Sequence, residues 1–192
     1  MVNKVKRCHW VDESQVYQQY HDVEWGVPSY DDQHLFEMLI LEGVQAGLSW
    51  ITILKKREGY RKAFDQFNAE KMARYTDKKI EKLLLNPEIV RNRLKVNAAR
   101  TNAQCYLQVL KEYDSFSDYI WQFVNFKPIK NKWQNFKDIP VTTGESDAMS
   151  RDLKKRGFKF VGSTICYAYM QAVGMVNDHE KQCFRYKFCN KS

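Results

Sequence analysis

Residues 35–54 read LFEMLILEGVQAGLSWITIL, the most apolar run in the chain. Leu35, Phe36, Met38, Leu39, Ile40 and Leu41 leave almost no polar face on its first two turns. A helix that is apolar on nearly all sides is a buried helix. Glu42 nevertheless sits inside it. At helical spacing Glu42 shares a face with Met38, Leu39, Ala46 and Trp50. A carboxylate there costs on the order of several kcal/mol unless it is paired or hydrogen-bonded. Two readings follow. Glu42 is the partner of a distant Arg or Lys or snorkels to water, or it is the one charged group of an apolar ligand pocket. Gly43 and Gly47 weaken the helix four residues apart, which predicts a break near Gln45–Ser49 and a restart at Trp50.

The chain has 192 residues, enough for one compact domain with a real core. We read residues 1–192 as a single domain, with mobile basic ends at 1–7 and about 185–192. Lys and Arg outnumber Asp and Glu by 31 to 23, a formal charge of +8, and 14% of residues are aromatic. Excess positive charge with many flat side chains suits a polyanion that also offers flat faces, such as nucleic acid. The start, MVNKVKRCHW, has no apolar signal-peptide core, and no uncharged run has the length of a membrane span. A cytoplasmic protein with no membrane partner is expected. Five cysteines, an odd number, read as thiols or metal ligands before disulfides.

Outward from the central run, the pattern is helical throughout and the fold class is all-α. Asp12 to Tyr20 reads as a short helix, followed by a turn punctuated by Gly26 and Pro28. Asp31 or Asp32 is a fair cap for the central helix. The helical pattern continues through Lys55–Phe64. Asn68 caps a short helix, and Thr76 or Asp77 opens another over Lys78–Leu85. Residues 88–112 carry apolar side chains at three- and four-residue spacing and predict the longest helix. Phe116–Val124 is helical. Phe126 to Thr143 has four lysines, no period, and reads as a basic loop. Ser146–Arg156 and Ser163–Val173 are helical around a break at Gly157–Gly162, and Asp178 to about Cys183 adds a last turn or two. No alternating run suggests a strand.

Two further constellations stand out. Cys8 and His21 lie near the start; His179 and Cys183 lie near the end, four apart. On a helix that spacing points both side chains one way, so the four residues make a candidate closed Cys2His2 set for a structural Zn2+ pinning the chain ends. Chance spacing competes with this, as do His9 and Cys189 as alternative ligands. The second constellation is Lys154-Lys-Arg-Gly-Phe-Lys-Phe-Val-Gly-Ser-Thr164. Gly157 and Gly162 bracket a hairpin, and amides at the start of the next helix offer a phosphate site amid Lys154, Lys155, Arg156 and Lys159. An ordinary connection with solvated lysines is the alternative.

These residues resemble the 3-methyladenine DNA glycosylase I family of the helix–hairpin–helix superfamily. The matching blocks are Cys8-x-Trp10, Tyr17-x-x-Tyr20-His21-Asp22-x-Glu24-Trp25-Gly26, Leu35 through Lys56, Ile89-Val-Arg91 with Lys95, and Lys154 through His179. The resemblance covers about residues 8–183. It implies a structural zinc at Cys8, His21, His179 and Cys183. It implies that Glu42 accepts a hydrogen bond from a flipped base, with Tyr20 as a second polar contact. Tyr17 and Trp50 would stack on the base, and Trp10 and Trp25 would wall the pocket. Gly47 and Leu48 would probe the duplex, while Gly157, Lys159, Gly162, Ser163 and Thr164 would hold its backbone. The implied partners are damaged double-stranded DNA and the 3-methyladenine base.

The implied chemistry agrees with the residues. Methylation at N3 makes adenine cationic and a good leaving group, so capture by a carboxylate and aromatic faces is the main task. Strand-cutting relatives carry a lysine after the second hairpin glycine; Ser163 and Thr164 occupy that place here, which implies no lyase activity. Asp178 lies near the position of the superfamily's catalytic aspartate, which this branch lacks, and beside the candidate ligand His179; it is not assigned a catalytic role. Asn86-Pro87-Glu88 departs from relatives that often have a glycine there, which implies a local change only. The tail after Cys183 is not fixed by the family. The competing reading is a non-catalytic, zinc-stabilised DNA-binding module, and a zinc hydrolase is disfavoured by a closed ligand set. A monomer is the default.

Overall fold

The structure, a computed structural model, describes residues 5–189. Among these residues the fold is helical: α1 Gln15–Val23, α2 Asp32–Gln45, α3 Trp50–Ala63, α4 Ala69–Ala73, α5 Asp77–Leu84, α6 Arg93–Val109, α7 Phe116–Trp121, α8 Gly144–Lys155 and α9 Ser163–Ala172. Helix α2 is the core element. All ten residues from Leu35 to Val44 are buried, and α3, α6, α7 and α9 pack around them. Asp31 caps α2 by accepting the His34 N–H at 2.7 Å, a contact of about 1 kcal/mol. The helix ends at Gln45, Gly47 turns with φ +77°, and α3 restarts at Trp50. The expected break is therefore present, at a position where a left-handed conformation favours glycine.

Several boundaries differ from the sequence expectation. Helix α1 begins at Gln15 rather than Asp12. Residues 88–92 are not helical: Asn92 caps α6 by accepting the Lys95 N–H, while Val90 N–H donates to Tyr60 Oη at 2.9 Å. Gly59 of α3 approaches Glu88 so closely that a Cβ would lie 2.6 Å from its carbonyl oxygen. Tertiary contact, not helical pairing, thus takes up the apolar residues of this stretch. The basic loop contains β1, Ile129–Lys130, which pairs in parallel with β2, Val176–Asn177. Two-residue strands leave no alternation to read. Residues 178–183 are irregular chain and turn rather than helix, so His179 and Cys183 do not share a helical face.

The expected loose ends lie outside the described residues at 1–4 and 190–192. Within them, Arg7 pairs with Asp22 at 2.6 Å, Phe184 N–H donates to the Lys6 carbonyl at 2.9 Å, and Cys189 is buried. No described helix is long and apolar enough to cross a membrane.

Candidate functional site

The C-terminal half of α2 opens into a cavity of about 220 Å³. Glu42 and Gln45 come from α2, Tyr17 and Tyr20 from α1, and Trp50 from the first position of α3. Trp10 and Trp25 flank α1, Ala168 and Gln171 come from α9, and Phe136 and Ile139 from the long loop. Every base-contact residue expected from the sequence lines this cavity. The aromatic side chains brace one another: Trp10 meets Trp25 edge-on at 5.1 Å and Tyr17 at 5.4 Å, and Tyr20 lies 5.6 Å from Trp50. Tyr17 Oη accepts the Ile51 N–H at 3.1 Å, which ties the start of α3 to α1.

Glu42 is 3% exposed. Burial alone pushes its carboxyl up to about 8 from the usual carboxylate range, and among the described residues no cation offsets it. Burial, with Glu42 next, also raises the Tyr20 phenol. The cations nearby are committed elsewhere: Arg57 bonds Glu24 at 2.7 Å and joins Arg61 on Glu37. The ion-pair reading of the central helix therefore belongs to Glu37, and the pocket reading to Glu42. A buried carboxylate without a partner, walled by aromatic faces, is suited to a flat ring bearing positive charge and N–H donors.

Asp178 does not reach that role. Its Oδ1 accepts from Asn131 at 2.7 Å and Trp133 at 2.6 Å, and its Oδ2 from Tyr167 at 2.6 Å and Gln171 at 2.7 Å. With four donors on two oxygens it is a structural tie that orients Gln171. The sequence reading missed Gln45, Phe136, Ile139, Ala168 and Gln171. Gln45, one turn after Glu42, carried a usable signal, and Ala168 and Gln171 lay inside a matching block; the loop residues Phe136 and Ile139 carried none.

Cys8, His21, His179 and Cys183 converge, all buried, with one candidate ligand atom each and all within 4.8 Å of one another. His9 and Cys189 are not in this set. The His21 Nδ1 faces Asp22 Oδ1 at 2.8 Å, and His179 Nδ1 faces Asn177 Oδ1 at 2.9 Å. Each ring is thereby oriented by an outer partner, as in carboxylate–histidine–metal arrangements. His179 Nε2 is buried without a hydrogen-bond partner. Cys183 is drawn down to about 5, first by a hydrogen bond from Cys8, whose own thiol is raised. Two sulfurs and two imidazoles at this spacing fit a tetrahedral ion such as zinc. The set abuts the cavity: the Trp25 ring lies 4.6 Å from His179, and Trp10 5.5 Å from His21.

Arg156, Gly157 and the residues to Gly162 join α8 to α9. Gly157 turns with φ +95°, whereas Gly162 is extended at φ −64° and caps α9. Lys154, Lys155, Lys159 and Thr164 are exposed. Arg156 is not free, being paired with Asp152 and Glu112. The Ser163 hydroxyl bonds Asp147 and Ser146, so only its backbone is available to a ligand. Leu48 is 38% exposed at the α2–α3 turn, beside Gly47.

The fold and cavity define a helical protein with an aromatic-walled pocket around a buried carboxylate. The methyladenine glycosylase family model matches residues 10–186, and the chain belongs to that family. It is 51% identical over 177 residues to the DNA-3-methyladenine glycosylase of Haemophilus influenzae, covering 92% of this chain and 96% of that one. It is 50% identical over 182 residues to DNA-3-methyladenine glycosylase 1 of Escherichia coli, covering 95% and 97%. Among solved structures, 3-methyladenine DNA glycosylase I from Staphylococcus aureus, described with the basis of its 3-methyladenine recognition, superposes with a TM-score of 0.90 at 40% identity. That match covers 93% of this chain and 95% of the other.

Proposed function

We propose that this chain is a DNA repair glycosylase that hydrolyses the N-glycosidic bond of 3-methyladenine in damaged double-stranded DNA. The observation that carries the reading is Glu42, a buried carboxylate without a cationic partner on the wall of an aromatic, base-sized cavity. The damaged nucleotide leaves the stack, at a cost of a few kcal/mol that a damaged base lowers. Glu42 accepts a hydrogen bond from the exocyclic amine and stabilises the ring's positive charge, and Tyr20 adds a polar contact. Tyr17 and Trp50 stack on the ring, with Trp10 and Trp25 as walls. The cationic base departs with the bonding electrons, and water adds to the sugar carbon and loses a proton. No general acid is required. Lys95, the lysine behind α2, is committed to backbone carbonyls, and among the described residues no lysine lines the cavity; this supports a glycosylase without strand-cutting activity.

In the same reading, α8, residues 157–162 and α9 act as a helix–hairpin–helix that grips the DNA backbone through the amides at Gly162, Ser163 and Thr164 and through Lys159, while Gly157, whose N–H donates to the Lys154 carbonyl, makes the turn. Leu48 and Gly47 enter the gap left by the flipped base. Cys8, His21, His179 and Cys183 hold one structural zinc, whose contribution is to fix the chain ends and the aromatic wall. The chain is taken to act as a monomer. The test is release of free bases from methylated duplex DNA, beside Glu42→Ala. Release of 3-methyladenine with 7-methylguanine left in place, and loss in the variant, is expected. A folded protein that binds DNA and frees no base would instead be a binding module.

A further inference from the structure

Helix α6 touches both elements that the proposed function turns toward DNA. It does so through Lys95 and Asn102, seven residues apart and therefore on one face. Both are buried, at 9% and 3% exposure. Lys95 Nζ donates to the carbonyls of Val44 at 2.7 Å and Ala46 at 2.6 Å. These belong to the end of α2, where a helix leaves acceptors unpaired. The contact fixes the backbone immediately before Gly47 and Leu48. Among the described residues no carboxylate pairs with this ammonium, and burying it is costly. An apolar side chain of similar length would avoid that cost, so its presence answers to the carbonyls it holds.

Asn102 does the corresponding work on the hairpin. Its Nδ2 donates to the Lys159 carbonyl at 3.0 Å, and its Oδ1 accepts the Lys159 N–H at 2.7 Å. The hairpin is thus held by its backbone while the Lys159 ammonium stays in solvent. Gly43 of α2 closes the gap between the two clamps, since a Cβ there would lie 3.2 Å from Phe160 Cβ.

We infer that Lys95 and Asn102 are positioning residues that set the separation between the Gly47–Leu48 turn and the 157–162 hairpin. A base reaches the cavity only from a duplex that both elements engage in register. The inference rests on the glycosylase reading. It predicts a division that a general packing role would not produce, because neither side chain lines the base cavity.

The test uses full-length Lys95→Met and Asn102→Ala. Single-turnover release of 3-methyladenine from methylated duplex is measured beside binding of the free base by tryptophan fluorescence. Duplex release should fall tenfold or more in each variant, with free-base affinity within twofold of the parent. Asn102→Ala should also flatten the salt dependence of duplex binding. Lys95→Met should leave that slope and reduce base opening, read by 2-aminopurine beside the lesion. Unchanged duplex release, or a parallel loss of free-base binding, overturns the inference. If Lys95→Met does not fold, Lys95→Gln is read in the same assays with the same two outcomes. An inactive parent overturns the glycosylase reading and this inference together; an active parent with unaffected variants overturns this inference alone.

Discussion

Glu42 ties function to instability at the level of one side chain. Its carboxyl titrates near 4.5 when unfolded and is pushed up to about 8 by burial in the folded protein. Between those values the folded state holds a proton that the unfolded state has released. Stability therefore falls as pH rises through this window and levels off above it. At about 1.4 kcal/mol per unit, the full effect is on the order of a few kcal/mol. Glu42→Gln removes it. The variant should melt with the parent near pH 5 and at a higher temperature near pH 8.5, as followed by circular dichroism across pH. Parallel melting curves would show that Glu42 is solvated or paired in solution. Base release by the same variant should drop roughly 10- to 100-fold, the loss of one charge-assisted hydrogen bond. A residue that improves stability when replaced and is needed for release has its place because of its ligand.

At the scale of elements, the sequence disclosed what local chemistry decides. The α2–α3 break was legible because Gly47 stands where φ must be positive; the cap at Asn68 was legible outright, and those at Asp31 and Thr76 to within one residue, with Asp32 and Asp77 as the alternatives. Residues 88–92 misled because Ile89 and Val90 follow helical spacing, yet Ile89 is buried outside a helix and the Val90 N–H and Glu88 meet α3 about thirty residues away. Glu37 gave no sign of its Arg57 and Arg61 partners, which stand 20 and 24 residues further on. The cavity was half legible: α1, α2 and α3 supplied residues in recognisable blocks, whereas Phe136 and Ile139 arrive from a loop without period. The hairpin permits a test at the same scale. Lys159 is exposed with its backbone held, so Lys159→Ala should lower duplex affinity for any sequence and reduce the salt slope by about one. Titrations at several salt concentrations check this; an unchanged slope would mean that the hairpin lysine lies off the DNA.

For the molecule as a whole, the chain ends and the base cavity form one mechanical unit. Cys8 and His21 reach His179 and Cys183 across most of the sequence, and Trp10 and Trp25 stand between those ligands and the cavity. The proposed zinc, closed by four protein ligands, would do no chemistry on a substrate, but it would contribute folding free energy and keep the aromatic wall in place. Gly26 is the narrowest point of this arrangement. It has φ +74°, and a Cβ would fall 2.6 Å from His179 Cε1. Gly26→Ala must therefore strain the backbone and displace a ligand ring, a loss of roughly 2 kcal/mol or more. The variant should purify with less than one zinc per chain and show a lower melting temperature and an altered tryptophan emission. Stripping zinc from the parent with a strong chelator should reproduce all these changes, and restoring zinc should reverse them in the parent. Metal analysis, melting and fluorescence on the same samples decide the matter. A parent that holds no zinc, or one whose stability and emission are indifferent to its removal, would reduce the four ligands to a buried polar cluster and detach the chain ends from the working of the pocket.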